Sequence, residues 1–326
     1  MITFVVTTYN LPDWMLRRCL TSIVEQGLPR DDYEIIVVDD ESEVGPQGVV
    51  GEFARQASIV LYTQPHRRQG AARNLALNHA RGTWVQFVDG DDYLFPHTVA
   101  PCIDMAEDNG LDVLRFGYEE VYGEEAQQCR QKALAVSLSV PTGGNEYMLR
   151  NNLFGSCCTL LFRRELCADM AYGGPLRFTE NIYIEDEEFV TKLMWRARRV
   201  ATTSRVVYAY YQRKGSTTRC RSRQHADELL ANYFVVLGRL QQFEASLGDE
   251  PHGGVTRKVR FLAIDILRRV LREPDWQVRW RDAAARLGKM GLYPIPWAGY
   301  SWRYTLFGLL ARIPMGRAVL QLLDRG

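Results

Sequence analysis

The stretch Trp84-Val85-Gln86-Phe87-Val88-Asp89-Gly90-Asp91-Asp92 indicates the fold class of this chain. A run of strand character ends there in three carboxylates within four residues. In α/β proteins, ligands bind in the crevice beyond the carboxyl ends of the strands. Three close negative charges repel one another, so we expect a cation there, and Mg²⁺ or Mn²⁺ bound to a diphosphate suits carboxylates of this kind. The alternative is an acidic turn that water solvates.

Strands and helices alternate on both sides of this stretch. β-rich, apolar segments predict buried parallel strands at residues 2–8, 33–38, 59–63 and 84–88. Helices are predicted after Pro12, from Gly70 to Ala80, and after Pro96. This alternation with short links is typical of parallel βαβ units.

Polar clusters come directly after three of these strands. They are Tyr9-Asn10, Asp39-Asp40-Glu41-Ser42 and Asp89-Gly90-Asp91-Asp92. Because parallel strands end at the same edge of a sheet, we expect the three clusters to converge.

The second half of the chain has a looser pattern. Further strands are predicted at residues 113–121, 159–163 and 200–211. A helix is predicted from Ile184, and its first turn holds Glu185-Asp186-Glu187-Glu188. Acidic residues in a first turn suit the helix dipole, which is one explanation of this cluster. From Ser222 onward the pattern is helical, with Gly253-Gly254 as a hinge.

Composition is that of a soluble protein, with 46% apolar and 24% charged residues. No apolar run reaches the roughly 18 residues of a membrane span. No basic leader precedes Ile2, so we expect no secretory signal and a cytoplasmic location. The seven cysteines show no zinc spacing and fit reduced thiols, and nothing marks Cys157 or Cys158 as a nucleophile.

Charge is distributed unevenly along the chain. Residues 251–326 carry 14 Lys or Arg against 5 Asp or Glu, whereas the rest of the chain carries 26 against 34. A basic C-terminal region suggests an anionic partner, either nucleic acid or the inner face of a plasma membrane. Residues 292–326 add an apolar helical face with several Trp and Tyr, including Tyr300, and with basic residues such as Arg325. Helices that lie in a membrane interface have this composition. The alternatives are a solvated arginine face or a helix that packs on the catalytic domain. No nucleic-acid module is recognisable, so we expect no nucleic-acid partner.

Several common enzyme motifs are missing. Gly45, Gly48 and Gly51 have the wrong spacing for a dinucleotide fingerprint, and the chain holds no Walker loop or nucleophile elbow. Two acidic sites remain, Asp89 to Asp92 and, about 95 residues later, Glu185-Asp186. A metal that neutralises a departing diphosphate, with a distant carboxylate that deprotonates an incoming hydroxyl, makes a workable transferase.

Five ordered blocks between residues 1 and 220 resemble glycosyltransferase family 2. They are Val-Thr-Thr-Tyr-Asn at 6–10, Val-Val-Asp-Asp-Glu-Ser at 37–42, Gly-Ala-Ala-Arg-Asn at 70–74, Phe-Val-Asp-Gly-Asp-Asp-Tyr-Leu-Phe-Pro at 87–96 and Ile-Glu-Asp-Glu-Glu-Phe at 184–189. The resemblance implies an inverting enzyme of the GT-A fold, an α/β fold with a Rossmann-like, mainly parallel sheet flanked by helices. It implies a catalytic domain at residues 1–220, followed by a helical C-terminal region at 221–326.

The resemblance also implies which residues bind the nucleotide of the donor. Thr7 and Tyr9 would border the base, and Asp40 would accept a hydrogen bond from uracil N3–H, which favours a UDP-sugar. Arg73 would face the base or the phosphates. Asp89 would contact the ribose or help to hold the metal. Tyr9 could instead serve packing alone.

The remaining roles concern the metal, the acceptor and the diphosphate. Asp91 would be the direct ligand of Mn²⁺ or Mg²⁺. Asp186 would be the general base, and Glu185 would support it or bind the acceptor. Arg213 and Ser216 lie where a diphosphate contact could form, or in a plain surface loop.

Other polar residues are expected to have structural roles. Asp39 would be a turn carboxylate, and Asp92 would cap the helix near Pro96. We expect His66, His79 and His97 to be solvated or helical rather than catalytic. Many relatives supply a late histidine as a further metal ligand, but none occurs here between His97 and His225.

The sequence therefore predicts a transferase that moves a sugar from a UDP-sugar to a saccharide or lipid-linked acceptor in bacterial surface polysaccharide synthesis. Two alternatives stay open. One is a catalytically silent saccharide-binding or scaffold protein on this fold, and the other is a sugar nucleotidyltransferase on a related sheet.

Overall fold

The computed structural model describes residues 1–124, 127–130, 136–170, 174–213, 222–297, 299 and 301–325, without the side chains of 324 and 325. The chain divides into two compact units, residues 1–144 with 155–220 and residues 145–154 with 221–326. The sequence analysis predicted a division into 1–220 and 221–326. It therefore assigned residues 145–154 to the first unit, whereas in the structure they belong to the second. These residues join the C-terminal helices because Asn145 Oδ1 accepts from the amide of Gly254 at 2.9 Å and Lys258 Nζ donates to the carbonyl of Leu153 at 2.6 Å.

The first unit is built on one sheet. Its strands, among the described residues, are β1 (Ile2–Thr8), β2 (Tyr33–Asp39), β3 (Ile59–Thr63), β4 (Trp84–Asp89), β5 (Tyr93–Leu94), β6 (Val113–Val121), β7 (Leu160–Arg163) and β8 (Val200–Tyr211). Their order is β3-β2-β1-β4-β7-β6-β8-β5. Pairing is parallel except where β7 and β5 join their neighbours, so β1 to β4, β6 and β8 all end at one edge. The predicted GT-A-type architecture, a mainly parallel sheet flanked by helices, is confirmed.

Helices flank this sheet and make up most of the second unit. Along the first part of the chain they are α1 (Asp13–Val24), α2 (Gln47–Phe53), α3 (Arg68–His79), α4 (Val99–Asp108), α5 (Gly144–Arg150), α6 (Glu165–Ala168) and α7 (Glu185–Arg196). The later ones are α8 (Arg223–Ser246), α9 (Gly253–Arg272), α10 (Trp276–Lys289), α11 (Trp302–Arg312) and α12 (Pro314–Arg325). In the part of the chain that is described, no helix is both long and apolar enough to cross a membrane.

The starts of α4 and α9 differ from the sequence prediction. α4 begins at Val99 instead of directly after Pro96, because the amide of Phe95 still pairs with the carbonyl of Val207 at 2.9 Å. The Gln26 side chain then accepts from the amides of Thr98 and Val99 and so satisfies donors of the first turn. The glycine pair predicted as a hinge instead begins α9.

An aromatic cluster holds α7 against the sheet. Phe87 of β4 packs against Phe162, Phe178 and Phe189, with ring centroids 5.4 to 6.0 Å apart. Phe178 also stacks on Phe189 at 3.8 Å. Buried aromatic side chains of this size contribute strongly to a core, so this cluster fixes where the first turn of α7 lies.

Candidate active site

The loops after the parallel strands lie together at one edge of the sheet. Thr7 of β1 pairs with Val38 of β2 on one side and with Asp89 of β4 on the other. The loops are tied to one another, because the amide of Asn10 donates to Ser42 Oγ and the amide of Glu43 donates to Asn10 Oδ1, both at 2.8 Å. The predicted convergence of the polar clusters is therefore present.

Asp40 is a buried carboxylate with several donors around it. Its Oδ1 accepts from Gln64 Nε2 at 2.7 Å and from the amide of Arg67 at 2.9 Å. Its Oδ2 lies 2.9 Å from His66 Nδ1. The neighbouring Asp39 is the turn carboxylate that we expected, since its Oδ1 accepts from Ser42 Oγ at 2.6 Å.

His66 lies beside two residues of the predicted nucleotide site, a position that the sequence analysis did not predict. Its ring stacks on the ring of Tyr9, with centroids 4.3 Å apart, while its Nδ1 contacts Asp40. It thereby connects the two residues predicted to meet the nucleobase. The signal was available, because His66 follows the end of β3, and a third parallel strand must end at the same edge as the first two.

Arg73, predicted to face the base or the phosphates, forms ion pairs with carboxylates at this edge. Its guanidinium is buried and bridges two carboxylates, Asp89 Oδ1 at 2.9 Å and Glu185 Oε1 at 2.7 Å. Asp89 Oδ1 also accepts from Gln69 Nε2, which lies 3.4 Å from the hydroxyl of Thr7. A buried guanidinium needs such partners, since an uncompensated charge in the interior is costly.

Asp91 forms an ion pair across the same edge. Its Oδ2 accepts from Arg213 Nε at 2.7 Å, where Arg213 follows the end of β8. The Asp91 carbonyl accepts from Arg18 at 2.8 Å, and the Arg18 guanidinium lies over the rings of Trp14, Tyr93 and Tyr211 at 4.3 to 5.1 Å. Ser216, the other predicted diphosphate contact, is outside the described residues.

Asp92 does not cap α4 as expected. Its Oδ2 accepts from the hydroxyl of Tyr208 at 2.6 Å, and its Oδ1 accepts from the amide of Tyr211 at 2.8 Å. Burial and the charges of Asp91 and Asp89 raise the pKa of Asp92 well above its ordinary value. Asp92 thus ties β8 to the end of β4. We call Asp40, Asp89, Asp91 and Asp92 the strand-tip carboxylates.

The first turn of α7 brings a second acidic group to this edge. The residue before it, Ile184, has a φ of 59°, a left-handed conformation that is strained for a β-branched side chain. Glu185 then turns toward Arg73, and Asp186 follows. Within the described chain the Asp186 carboxylate has neither a hydrogen bond nor an ion pair. Burial and the charges of Glu185 and Glu187 raise the pKa of Asp186 well above its ordinary value.

Helix α3 anchors the segment that leads into α7. Asn74 forms two hydrogen bonds with the backbone of Phe178, at 2.8 and 2.9 Å. A Cβ at Gly70 would lie 2.8 Å from the carbonyl of Thr179 and 2.9 Å from Glu185 Cγ. The Gly-Ala-Ala-Arg-Asn block therefore holds the acidic turn in three ways. Gly70 lets α3 approach it closely, Asn74 binds the backbone that leads into it, and Arg73 forms an ion pair with Glu185.

The vicinal thiols Cys157 and Cys158 are buried beside this network. Cys158 Sγ lies 3.9 Å from Arg73, and a hydrogen bond with Cys157 together with burial raises the pKa of Cys158 well above its ordinary value. A thiol with a raised pKa is a poor nucleophile. Cys158 therefore lines the site without the properties of a reactive group.

The model of the family described as Glycosyl transferase family 2 matches residues 3–170. The chain belongs to this family. It is 27% identical to the succinoglycan biosynthesis protein ExoO of Rhizobium meliloti (strain 1021) over 71% of this chain and 66% of that protein. It spans between 18% and 67% of the length of the first three curated relatives that it matches.

Two solved structures have the same fold. The crystal structure of S. aureus TarS 1-349 in complex with UDP-GlcNAc has a TM-score of 0.68 and 19% identity, and the alignment covers 99% of this chain and 88% of that one. The mannosyltransferase PcManGT from Pyrobaculum calidifontis, in complex with GDP-Man and Mn2+, has a TM-score of 0.54 and 18% identity, with coverage of 100% and 88%. These likenesses confirm the GT-A-type fold predicted for the family.

Proposed function

We propose that this protein transfers a sugar from a nucleoside-diphosphate donor to a hydroxyl group of a saccharide acceptor, with inversion at the anomeric carbon. The observation that carries the proposal is the carboxylate of Asp186. It is a carboxylate without a hydrogen-bond partner in the described chain, its pKa is raised, and Glu185 and Arg73 connect it to Asp89. A general base works best when its pKa lies near the working pH, and a raised pKa brings a carboxylate closer to that condition.

The reaction follows as one displacement. Asp186 accepts the proton of the acceptor hydroxyl while that oxygen attacks the anomeric carbon. The bond from the anomeric carbon to the diphosphate oxygen breaks, and its electron pair stays on the diphosphate. Glu185, held by Arg73, keeps Asp186 in place but is itself committed to the guanidinium. Asp186 returns its proton to water after the product leaves.

The nucleotide would bind across the tips of β1, β2 and β4. Tyr9 offers a ring face to the base, with Thr7 beside it, and Asp40 offers a carboxylate that accepts from a base N–H. We propose a UDP-sugar, because uracil N3–H matches a single acceptor. Among the structural neighbours, TarS is in complex with UDP-GlcNAc and PcManGT with GDP-Man, so GDP-sugars are the rival donors.

A divalent cation fits the strand tips. Asp89 is the last residue of β4 and Asp91 follows two residues later. Burial and the charge of Asp89 raise the pKa of Asp91. Within the described residues, no group of three or more His, Cys, Asp or Glu could hold a metal. Mg²⁺ and Mn²⁺ favour one or two carboxylates plus phosphate oxygens, so Asp91 and Asp89 suit a cation that the diphosphate also binds. Such a cation would neutralise the leaving group, where Arg213 and Ser216 would assist.

The acceptor would be a growing saccharide of a bacterial surface polysaccharide, free or linked to a lipid. ExoO bears the name of a succinoglycan biosynthesis protein, which supports this class of product. With a lipid-linked acceptor the enzyme would work in the cytoplasm, at the inner face of the plasma membrane.

Transfer assays with a panel of nucleotide sugars test this proposal. We expect Mn²⁺-dependent thermal shifts with UDP-sugars, and at least about 10²-fold slower transfer after Asp186→Asn with nucleotide affinity nearly unchanged. The pKa of Asp186 is higher in the folded chain than in the unfolded chain, so ionising this carboxylate lowers stability as the pH rises from the unfolded pKa through the folded pKa. Asn is neutral, so the variant does not have this loss. It should therefore melt higher than the native chain at pH 8.

Three outcomes would count against the proposal. Nucleotide binding without transfer or hydrolysis would favour the silent saccharide-binding or scaffold protein. Formation of a nucleotide sugar from a nucleoside triphosphate would favour the nucleotidyltransferase. Transfer that survives Asp186→Asn at the native rate would remove the base assignment.

A further inference from the structure

Helices α11 and α12 are attached to their unit along one side only. Gly308 and Ala311 of α11 and Gly316 and Leu320 of α12 are buried. The carbonyl of Ala311 accepts from the hydroxyl of Tyr293 at 2.9 Å and from Arg317 at 2.8 Å. These contacts fix the rotation of both helices and therefore decide which side chains face outward.

The opposite side carries apolar residues at helical spacing. On α11 these residues recur every three or four positions, and α12 repeats the pattern after Pro314. They are 46 to 82% exposed and comprise Trp302, Leu306, Leu309, Ile313, Met315, Val319, Leu322 and Leu323, which we call the outer stripe. Contiguous exposed apolar surface of this kind marks an interaction site on a soluble protein.

Charge identifies the partner. Residues 290–323 contain no Asp or Glu, while Arg303 and Arg312 are exposed beside the outer stripe. A second copy of the chain docked on this face would bring like charges together. An anionic lipid surface would attract the arginines through its negative charge, and its acyl chains would contact the apolar side chains of the outer stripe. Trp297 and Trp302, both at least 70% exposed, have the amphipathic rings that suit a membrane–water interface.

We propose that the outer stripe docks on an anionic lipid bilayer surface, with its apolar side chains among the acyl chains and its arginines at the phosphate groups. The proposal rests on the proposed function in one respect: a lipid-linked acceptor is the reason why a transferase would bind a membrane. Binding itself is independent of catalysis and is measured without it.

Vesicle flotation of the full chain tests the docking surface. We expect the protein to float with vesicles of phosphatidylglycerol and phosphatidylcholine at low salt, and to stay unbound with phosphatidylcholine alone. The double variant Leu309→Glu and Leu322→Glu should bind at least about tenfold more weakly. Arg303→Gln with Arg312→Gln should weaken binding and reduce its salt dependence. Val278→Glu is the matched control, because Val278 is also an exposed apolar residue of a helix in this unit but lies outside the stripe.

The outcomes separate the alternatives. Absence of flotation by the native chain, or equal flotation of the Glu double variant, would overturn the proposal. A native chain that is oligomeric in light scattering, and that the Glu variant makes monomeric, would identify the stripe as a contact between copies. Circular dichroism and nucleotide binding confirm that each variant is folded. If transfer fails but flotation follows the stripe, the proposed function is wrong and the docking surface stands.

Discussion

The strand-tip carboxylates and the carboxylate of Asp186 lie at one edge of the sheet but are held in opposite ways. Each strand-tip carboxylate has donors within hydrogen-bonding distance, such as His66 for Asp40 and Arg213 for Asp91. Asp186 has neither a hydrogen bond nor an ion pair in the described chain. Paired carboxylates are fixed in position as binding groups, whereas an unpaired one with a raised pKa is available to accept a proton.

Arg73 joins Asp89, a strand-tip carboxylate, to Glu185, the neighbour of Asp186 in the chain, and its removal should have the largest effect. Arg73→Met leaves Asp89 and the buried Glu185 without their shared cation, so we expect a loss of about 3–5 kcal/mol in the free energy of unfolding. Urea denaturation measures this loss. Arg17→Met is the control, because the Arg17–Glu52 ion pair is exposed and should contribute little to stability.

A second variant distinguishes charge from packing at this position. Adding Glu185→Gln to Arg73→Met removes one of the two carboxylate charges left without a cation and should restore part of the lost stability. If the double variant is less stable than Arg73→Met alone, the guanidinium acts mainly through packing on Phe87 and Phe178, whose rings it faces.

The difference between the two groups also marks what the sequence could predict. Strand tips repeat along the chain, so Asp40 and Asp89 were placed by local pattern and by strand direction. The partner of Arg73 was missed because Glu185 is 112 residues away, and its approach depends on Gly70, Asn74 and the strained Ile184. No local signal indicates that Asp92 binds β8, because β8 lies far from Asp92 in the sequence and reaches it only through pairing with β5.

His66 tests whether the paired state of Asp40 matters for the donor. His66→Ala removes both the stacking on Tyr9 and the contact with Asp40, and we expect the donor KM to rise about tenfold with kcat little changed. His66→Phe restores a stacking surface alone and should recover only part of the affinity. His79→Ala is the control, since His79 stacks on Tyr62 at the same 4.3 Å at the other end of α3. An equal effect of both alanine variants would reduce His66 to a structural role.

Arg213 tests whether Asp91 is shared between a guanidinium and a metal. Arg213→Met removes the competing cation, so Mn²⁺ alone should bind about three- to fivefold more tightly. Titration calorimetry with MnCl₂ measures this, with the exposed Arg30→Met as control. Unchanged or weaker Mn²⁺ binding would show that Arg213 and the metal do not compete for Asp91.

Glu187 offers the smallest and most specific change. As the proposed base, Asp186 accepts a proton only when ionised, so we expect transfer to fall as the pH drops through its raised pKa. The charge of Glu187 helps to raise that pKa. Glu187→Gln removes one like charge, so the acidic limb of the pH–rate profile should move to lower pH, while the rate on the alkaline plateau stays close to native. The exposed Glu146→Gln should leave the profile in place. A limb that does not move, or moves to higher pH, would show that the group titrating in the reaction is not Asp186.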